Sequence, residues 1–369
     1  MPRTGYVILR RGLTLLTVFI LVVIIIAAIL EGSGFSEDIY KAYVREYVNA
    51  DIMSLRRAGV NITESYIAEL RENLTRYYMI HFGLLDQQGN PIPKYIRMWK
   101  LVHMALTLDF GETVYSTVTN VVPRSAPAPV SEVILAVLPR TILIVTIGEL
   151  VAIAIALLLG PRIAYRHGSF FDKVIVAYAA LFNAIPIWWL AMLFILFFGY
   201  QLKIFPTNLR GVASYLRWDV FLSNPLGTLA NLLWYISLPL MVFVISVLGS
   251  WLYGIRAMVL RIVREDYVTV AKAKGLPEKD ITQRYVLRVS MAPVLTSVIL
   301  ALAGSLGGMI ITESVFDWPG MGTLYYSALV AGDTTTIMAL FIVYVGVYIM
   351  ARFILEILYI IVDPRVRAR

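Results

Sequence analysis

Apolar and polar positions fall into long alternating blocks. Six runs rich in Leu, Ile, Val, Ala and Phe occupy about residues 13–30, 137–160, 174–200, 229–253, 292–312 and 337–362. Each is close to the roughly 20 apolar residues that a helix needs to cross a bilayer. The first run exceeds the roughly 7–15-residue apolar core of a secretory signal, so an uncleaved helix is expected there. Residues 31–136 are the only sizeable polar stretch. Within 36–79, Tyr40, Tyr43, Val44 and Tyr47 share one helical face, Gly89-Asn90-Pro91 reads as a turn, and 123–129 as a semi-rigid connector.

Composition agrees. Residues of the AVILMFWYC set make up 59% of the 369 and charged residues only 15%, against roughly 45–50% and about 25% in a soluble domain. The absence of cysteine excludes thiol chemistry and thiolate metal sites. The net charge of +8 is not a nucleic-acid signature here, because Lys and Arg also set membrane orientation. With a cytoplasmic N-terminus, the segments 1–12, 161–173, 254–290 and 363–369 carry 17 Lys/Arg, and the short opposite segments, 201–228 and 313–336, carry 3. That bias places both termini in the cytoplasm and 31–136 outside, where Asn61 and Asn73 form glycosylation-type sequons.

Catalytic signatures are missing. No G-x-x-x-x-G-K-S/T loop is present to cradle ATP. His81, His103 and His167 are too scattered for a metal site, and no span carries a nucleophile–base pair. Four charges fall within the apolar runs. Arg140 is near enough to the outer end to snorkel. Arg352 and Glu356, four apart, are placed to pair with each other. Glu149 is near mid-span, where a proton relay and a hydrogen bond to a neighbouring helix both remain open, the second favoured.

The segment 254–290 is too apolar for a free loop. Val259, Ile262, Val263, Tyr267 and Val270 recur at helical spacing, which predicts one amphipathic helix ending near Gly275. Lys272 and Lys274 suit its last turn. A second short helix follows, with Pro277, Glu278 and Asp280 at its start, Arg284 and Arg288 at its end, and Ile281, Tyr285 and Val286 as its apolar members. A rigid helical knob suits transmission of force; an ordinary capped hairpin fits equally well.

These residues resemble a known family. Asp266-Tyr267-Val268 followed by Ala271-Lys272-Ala273-Lys274-Gly275-Leu276 is similar to the signature of permease subunits of binding-protein-dependent, ATP-driven (ABC) importers, in the dipeptide/oligopeptide/nickel class. Further markers occur in the family's order: Pro139-Arg140-Thr141, Pro186 with Trp188-Trp189, Phe205-Pro206, and Leu287-Arg288 with Pro293 and Thr296. They continue with the run Glu313-Ser314-Val315-Phe316-Asp317-Trp318-Pro319-Gly320-Met321-Gly322, then Asp333, and the tail Asp363-Pro364-Arg365-Val366-Arg367. Departures are Tyr285 in place of His before Leu-Arg, Gly332 in place of Arg before Asp333, and the pair Arg352 and Glu356.

The resemblance implies an all-α integral membrane protein. It would have six spans, a cytoplasmic coupling helix at about 277–286 and a mainly helical extracellular insertion at 31–136. Residues 1–30 would form the N-terminal segment and first span, and 137–369 the permease core. The implied coupling residues are Ala271 to Pro277, Glu278, Asp280, Ile281, Arg284, Tyr285 and Arg288. The chain would hold no cofactor; ATP and Mg would sit on two partner ATPase subunits. A second homologous permease and an extracellular substrate-binding protein would complete the assembly, moving short peptides, with oligosaccharides as the alternative. Asn183, Pro186, Gly304, Ser305 and Gly308 are candidate path residues, with Gly304 and Gly308 also reading as a G-x-x-x-G packing motif. Glu313, Phe316, Trp318 and Pro319 are candidates for an external gate or a binding-protein contact. A self-sufficient channel or ion-coupled carrier using Glu149 is the alternative of another class.

Overall fold

The computed structural model of the chain describes residues 2–58, 63–113, 115–122 and 124–362. Asn61, Pro123 and the tail from Asp363 lie outside the described residues. The first apolar run is part of α1 (Pro2–Gly32). Gly34, at φ 77°, takes the left-handed turn that starts α2 (Phe35–Arg57). α2 packs on α3 (Glu64–His81) through Val44, Val48, Ile52, Ile67 and Leu70, so the face predicted around Val44 is the buried one. Asn73 is exposed on α3.

α4 (Lys94–Thr107) follows. β1 (Glu112–Thr113) pairs antiparallel with β2 (Ala128–Pro129), with α5 (Ser116–Thr119) between them. The polar stretch 31–136 is not a separate body. Val102 and Ala105 of α4 share one core with Val23 and Ala27 of α1, and with Val133, Leu324 and Leu340 from the bundle. Arg97 of α4, mostly buried, donates to Glu31 and Glu37, both at 2.9 Å, and so ties α4 to the end of α1. The Arg97 and Lys41 side chains hold the Glu37 carboxyl below its ordinary range.

The second span starts earlier than its apolar run. α6 (Val130–Thr141) passes through a π-helical stretch, Ile142–Thr146, into α7 (Ile147–Tyr165). Pro139 has no N–H for the helical ladder, and the wider turn begins three residues after it. α8 (Phe170–Ala184) and α9 (Ile187–Phe194), the latter prolonged by a π stretch to Gln201, are bent by 93°. Ile185, forced extended by the following Pro186, makes that break. Short α10 (Val212–Tyr215) and α11 (Trp218–Ser223) precede α12 (Pro225–Val263), which is capped by Asn224 accepting from the Gly227 amide at 3.0 Å. α12 has 39 residues, about 58 Å at helical rise, far more than a hydrocarbon core of about 30 Å. Its last turns lead into α13 (Asp266–Ala273).

The remaining elements are α14 (Glu278–Asp280), a π stretch Ile281–Leu287, α15 (Arg288–Ser305), α16 (Ile310–Val315), α17 (Met321–Ala331) and α18 (Thr334–Val362). Two expectations fail at the fifth span. Its helix ends at Ser305, not near 312, because Gly308 takes φ 73°. Gly304 and Gly308 are therefore not a helical G-x-x-x-G pair. Among the described residues, five helices are long and apolar enough to cross a membrane, and the bent pair, counted as one crossing, makes six. The chain is an all-α integral membrane protein.

The crossing of α8 and α12 depends on Gly249, where a Cβ would stand 2.9 Å from the Ala179 Cα. At Gly254, on the same helix, a Cβ would meet nothing within 4 Å. Gly249→Leu should therefore lower stability by about 1–3 kcal/mol through forced separation of the helices, and Gly254→Leu should not. Thermal melting in detergent compares the two, and equal melting would remove the crossing as a constraint.

Candidate functional site

At one end of the bundle two distant motifs fold onto each other. Arg140 is only 5% exposed and does not snorkel. Its Nη1 donates to the carbonyls of Val121 at 2.9 Å and Pro319 at 3.1 Å, while its own carbonyl accepts from Trp318 Nε1 at 3.2 Å. The Thr141 hydroxyl accepts from the Met321 amide at 2.7 Å and donates to Glu313 Oε1 at 3.2 Å. The Met309 amide reaches the same oxygen at 3.2 Å. Oε2 accepts from the amides of Gly322 at 2.8 Å and Thr323 at 3.2 Å. Gly308 fits only as glycine, since a Cβ there would lie 2.7 Å from both Glu313 Oε1 and the Gly322 nitrogen. The result is a closed clamp joining the 306–323 loop to the second span.

The clamp changes the roles expected of its members. Phe316 and Trp318 are buried, as is Pro319, so none presents a surface to a binding protein in this conformation. Asp317, pairing with Arg210 at 2.8 Å, is the accessible member of that run. Asp333 caps α18 by accepting from the Thr336 amide and hydroxyl, and ties it to β1 through the Thr113 hydroxyl at 2.6 Å. Burial pushes the Asp333 carboxyl up.

Candidate path residues are not gathered in one place. Asn183 accepts from the Ser250 hydroxyl beside the break at Pro186. Ser305 bonds to Thr146 at 2.8 Å, inside the second span's π stretch. Gly304 faces open space, and Gly308 belongs to the clamp. Glu149 is 8% exposed and accepts from Trp251 Nε1 of α12 at 2.6 Å, the inter-helix bond favoured from sequence. Arg352 and Glu356 do not pair with each other. Glu356 instead pairs with Arg11 of α1.

At the opposite end of the bundle, the predicted amphipathic helix is interrupted. α12 ends at Val263, and α13 starts only after Arg264 and Glu265. Val268 and Ala271 are buried against Leu252, Ile255 and Val259 of α12, with Ile281 and Val286 in the same core. Lys272, Ala273, Lys274, Gly275 and Pro277 are exposed, and Leu276 is half-buried. Gly275 takes φ 71°, its amide donating to the Lys272 carbonyl and that of Leu276 to the Ala271 carbonyl. The second helix is not a separate piece. It runs from 278 through the π stretch and on into the fifth span. Arg284 and Arg288 are exposed and Tyr285 is half-buried. Asp280 reaches Arg284 at only 3.7 Å, an exposed contact of little energetic weight. The Glu278 side chain lies outside the described residues.

Beneath this segment is a cluster with no local sequence signal. Arg256 of α12 donates through Nε and Nη2 to both oxygens of Asp172, which also accepts from the Gly168 amide at 2.9 Å. His167 Nδ1 is 3.1 Å from Asp172. The two members of the ion pair are 84 positions apart, so no motif spans them.

The clamp has a pH signature. Burial pushes the Glu313 carboxyl up to about 7 from 4.5, opposed by its donors. The native state then holds its proton more tightly than the unfolded chain. This contribution to stability is full below about pH 4.5 and is lost as pH rises through about 7. Glu313→Gln should lower melting temperature across the range, because its NH2 faces donors. It should also abolish the fall in melting temperature between those two pH values. An unchanged pH dependence in the variant would remove Glu313 as the titrating group.

A family described as "Binding-protein-dependent transport system inner membrane component" matches residues 152–368, more than half of the chain. The chain is 28% identical over 282 residues to the oligopeptide transport system permease protein AppB of Bacillus subtilis, covering 76% of this chain and 83% of that one. It is 27% identical over 241 residues to the di/tripeptide transport system permease protein DppB of Pseudomonas aeruginosa, covering 63% and 72%. To the metal-staphylopine import system permease protein CntB of Staphylococcus aureus it is 26% identical over 309 residues, covering 83% and 84%. The chain belongs to the family of inner membrane components of binding-protein-dependent transport systems.

Proposed function

We propose that this chain is the permease subunit of an ATP-driven importer of short peptides. It would form half of the path beside a second permease, with two ATPase subunits at one face and an extracellular binding protein at the other. The observation that carries the reading is the exposed turn at Lys272–Pro277, rooted in the core of α12 and continuous with the fifth span. Force applied at 272–288 has no loop in which to dissipate before it reaches the membrane helix. Family membership and the peptide transport names of the relatives support the substrate class, and peptides over oligosaccharides. Without a phosphate loop in this chain, ATP and Mg belong to the partners. The 17 Lys/Arg against 3 on the short opposite segments support cytoplasmic termini and an ATPase-facing coupling segment.

ATP-driven closure of the ATPases would move the coupling segment and shift the bundle between inward- and outward-facing states. The ion-coupled alternative asks Glu149 to carry a proton or ion. Its bond to Trp251 already accounts for a carboxyl at that depth, so the importer reading is preferred.

Gly275 separates coupling from folding. A side chain there would meet nothing within 4 Å, yet φ 71° strains any residue but glycine, by about 1–3 kcal/mol. Gly275→Trp should leave the spans inserted and the ATPase subunits hydrolysing ATP, while peptide uptake into vesicles containing the full assembly is lost. Normal uptake in that variant would refute the coupling role. Mass spectrometry of the gently solubilised chain supplies the companion test: a second permease and ATPase subunits should accompany it. Repeated isolation alone, folded, would count against the importer reading.

A further inference from the structure

Between α1, α15 and α18 runs an apolar groove of 630 Å³. Leu15, Val18 and Val22 of α1 form one wall, and Tyr344, Tyr348 and Arg352 of α18 the other. Its floor is open because Gly304 has no side chain, and a Cβ there would meet nothing within 4 Å. The groove is not uniform along its length. Tyr344 closes one end by donating its hydroxyl to the Gly307 carbonyl at 2.7 Å. At the other end Tyr348 and Arg352, one turn apart on the same helix, are exposed. Glu356 is taken by Arg11, so Arg352 has no anionic partner among the described residues. From Tyr344 to Arg352 is eight residues of helix, about 12 Å, close to the roughly 15 Å of one leaflet's hydrocarbon.

We propose that this groove is a binding site for one anionic phospholipid, with an acyl chain along Leu15, Val18, Val22 and Gly304 and the headgroup phosphate on Arg352. An apolar trough ending in a phenol and an unpaired guanidinium has the polarity profile of a lipid, tail to head. A protein helix laid in the same trough would have to bring an acidic side chain to Arg352, or else bury the guanidinium without a counter-charge, whereas an anionic phospholipid carries its charge at that end. A planar guanidinium also matches phosphate geometry through paired N–H donors. A lipid held here bridges the first, fifth and sixth spans, where the chain's own side chains leave a gap. Gly304 is also a candidate path residue, so the test reads lipid rather than transport.

The experiment uses the assembly as purified, reconstituted in vesicles of equimolar phosphatidylglycerol and phosphatidylcholine, then delipidated in detergent and analysed by native mass spectrometry. Wild type should retain one phospholipid at this site, with phosphatidylglycerol favoured about fivefold, the effect of one basic residue at a membrane surface. Arg352→Gln should keep a lipid but lose the preference. Gly304→Leu fills the groove where space is free, and should lose the lipid with melting temperature unchanged. Val18→Phe does the same from α1, should the first variant fold poorly. Equal retention in wild type and both groove-filling variants overturns the site. So does the absence of any headgroup preference in wild type. Wild type without retained lipid, together with loss of the second permease from Gly304→Leu, overturns it in favour of a protein interface.

Discussion

A carboxyl removed from water has to be met by donors, and Glu313 is met by four: the amides of Met309, Gly322 and Thr323 and the hydroxyl of Thr141. The closure of one end of the bundle depends on this. The donors come from both flanks of the loop and from the second span, so the loop closes only when the span is in place. Arg140 completes the closure from the neighbouring position by donating to Pro319. Trp318, fully buried, returns a bond to the Arg140 carbonyl. Backbone that would otherwise be an open loop at the membrane edge is thereby satisfied internally, as a low-dielectric setting requires.

The opposite end obeys the same rule with a different pair. Arg256 and Asp172 neutralise each other where α12 leaves the bundle, with the Gly168 amide and His167 filling the remaining positions. Breaking such a buried pair on one side is costly, because the remaining charge has no water to turn to. The pair fixes the turn between α7 and α8 to α12, and α12 leads into α13 and the turn at Gly275. The exposed residues 272–275 thus stand on a rigid base at one end of the bundle, and the clamp stands at the other. α12 passes through the bundle, and the fifth span links the two ends along the chain.

Helix content, the number of apolar segments and the turn at Gly275 were legible because they depend on neighbours in sequence. Gly275 follows a helix with Lys272 and Lys274 in its last turn, a local C-terminal signal, and the break at Pro186 follows from one proline acting on Ile185. Where partners lie far apart, local reasoning chose wrongly. Arg352 and Glu356 are spaced to pair on one helix, but Arg11 on another helix takes the carboxylate. Gly304 and Gly308 have the spacing of a packing motif, but Gly308 is shaped by the Glu313 carboxyl and leaves the helix. Phe316 and Trp318 follow the fifth span and read as candidates for an external gate or a binding-protein contact; tertiary contacts bury them, so they present no contact surface in this conformation.

The amino-acid sequence by itself determined the solvent this chain requires, the segments that cross it and the class of protein it resembles. Apolar run length, charge bias and short motifs are properties of adjacent residues and survive without any fold. Only the tertiary structure decided which charges are partners, which glycines are sterically required and which face is left open. Those outcomes depend on close approach between residues far apart in the chain, as with Thr113 and Asp333, 220 positions apart. Spacing along the chain has no bearing on such distances. They are settled when the helices pack and each buried polar group finds, or fails to find, a partner.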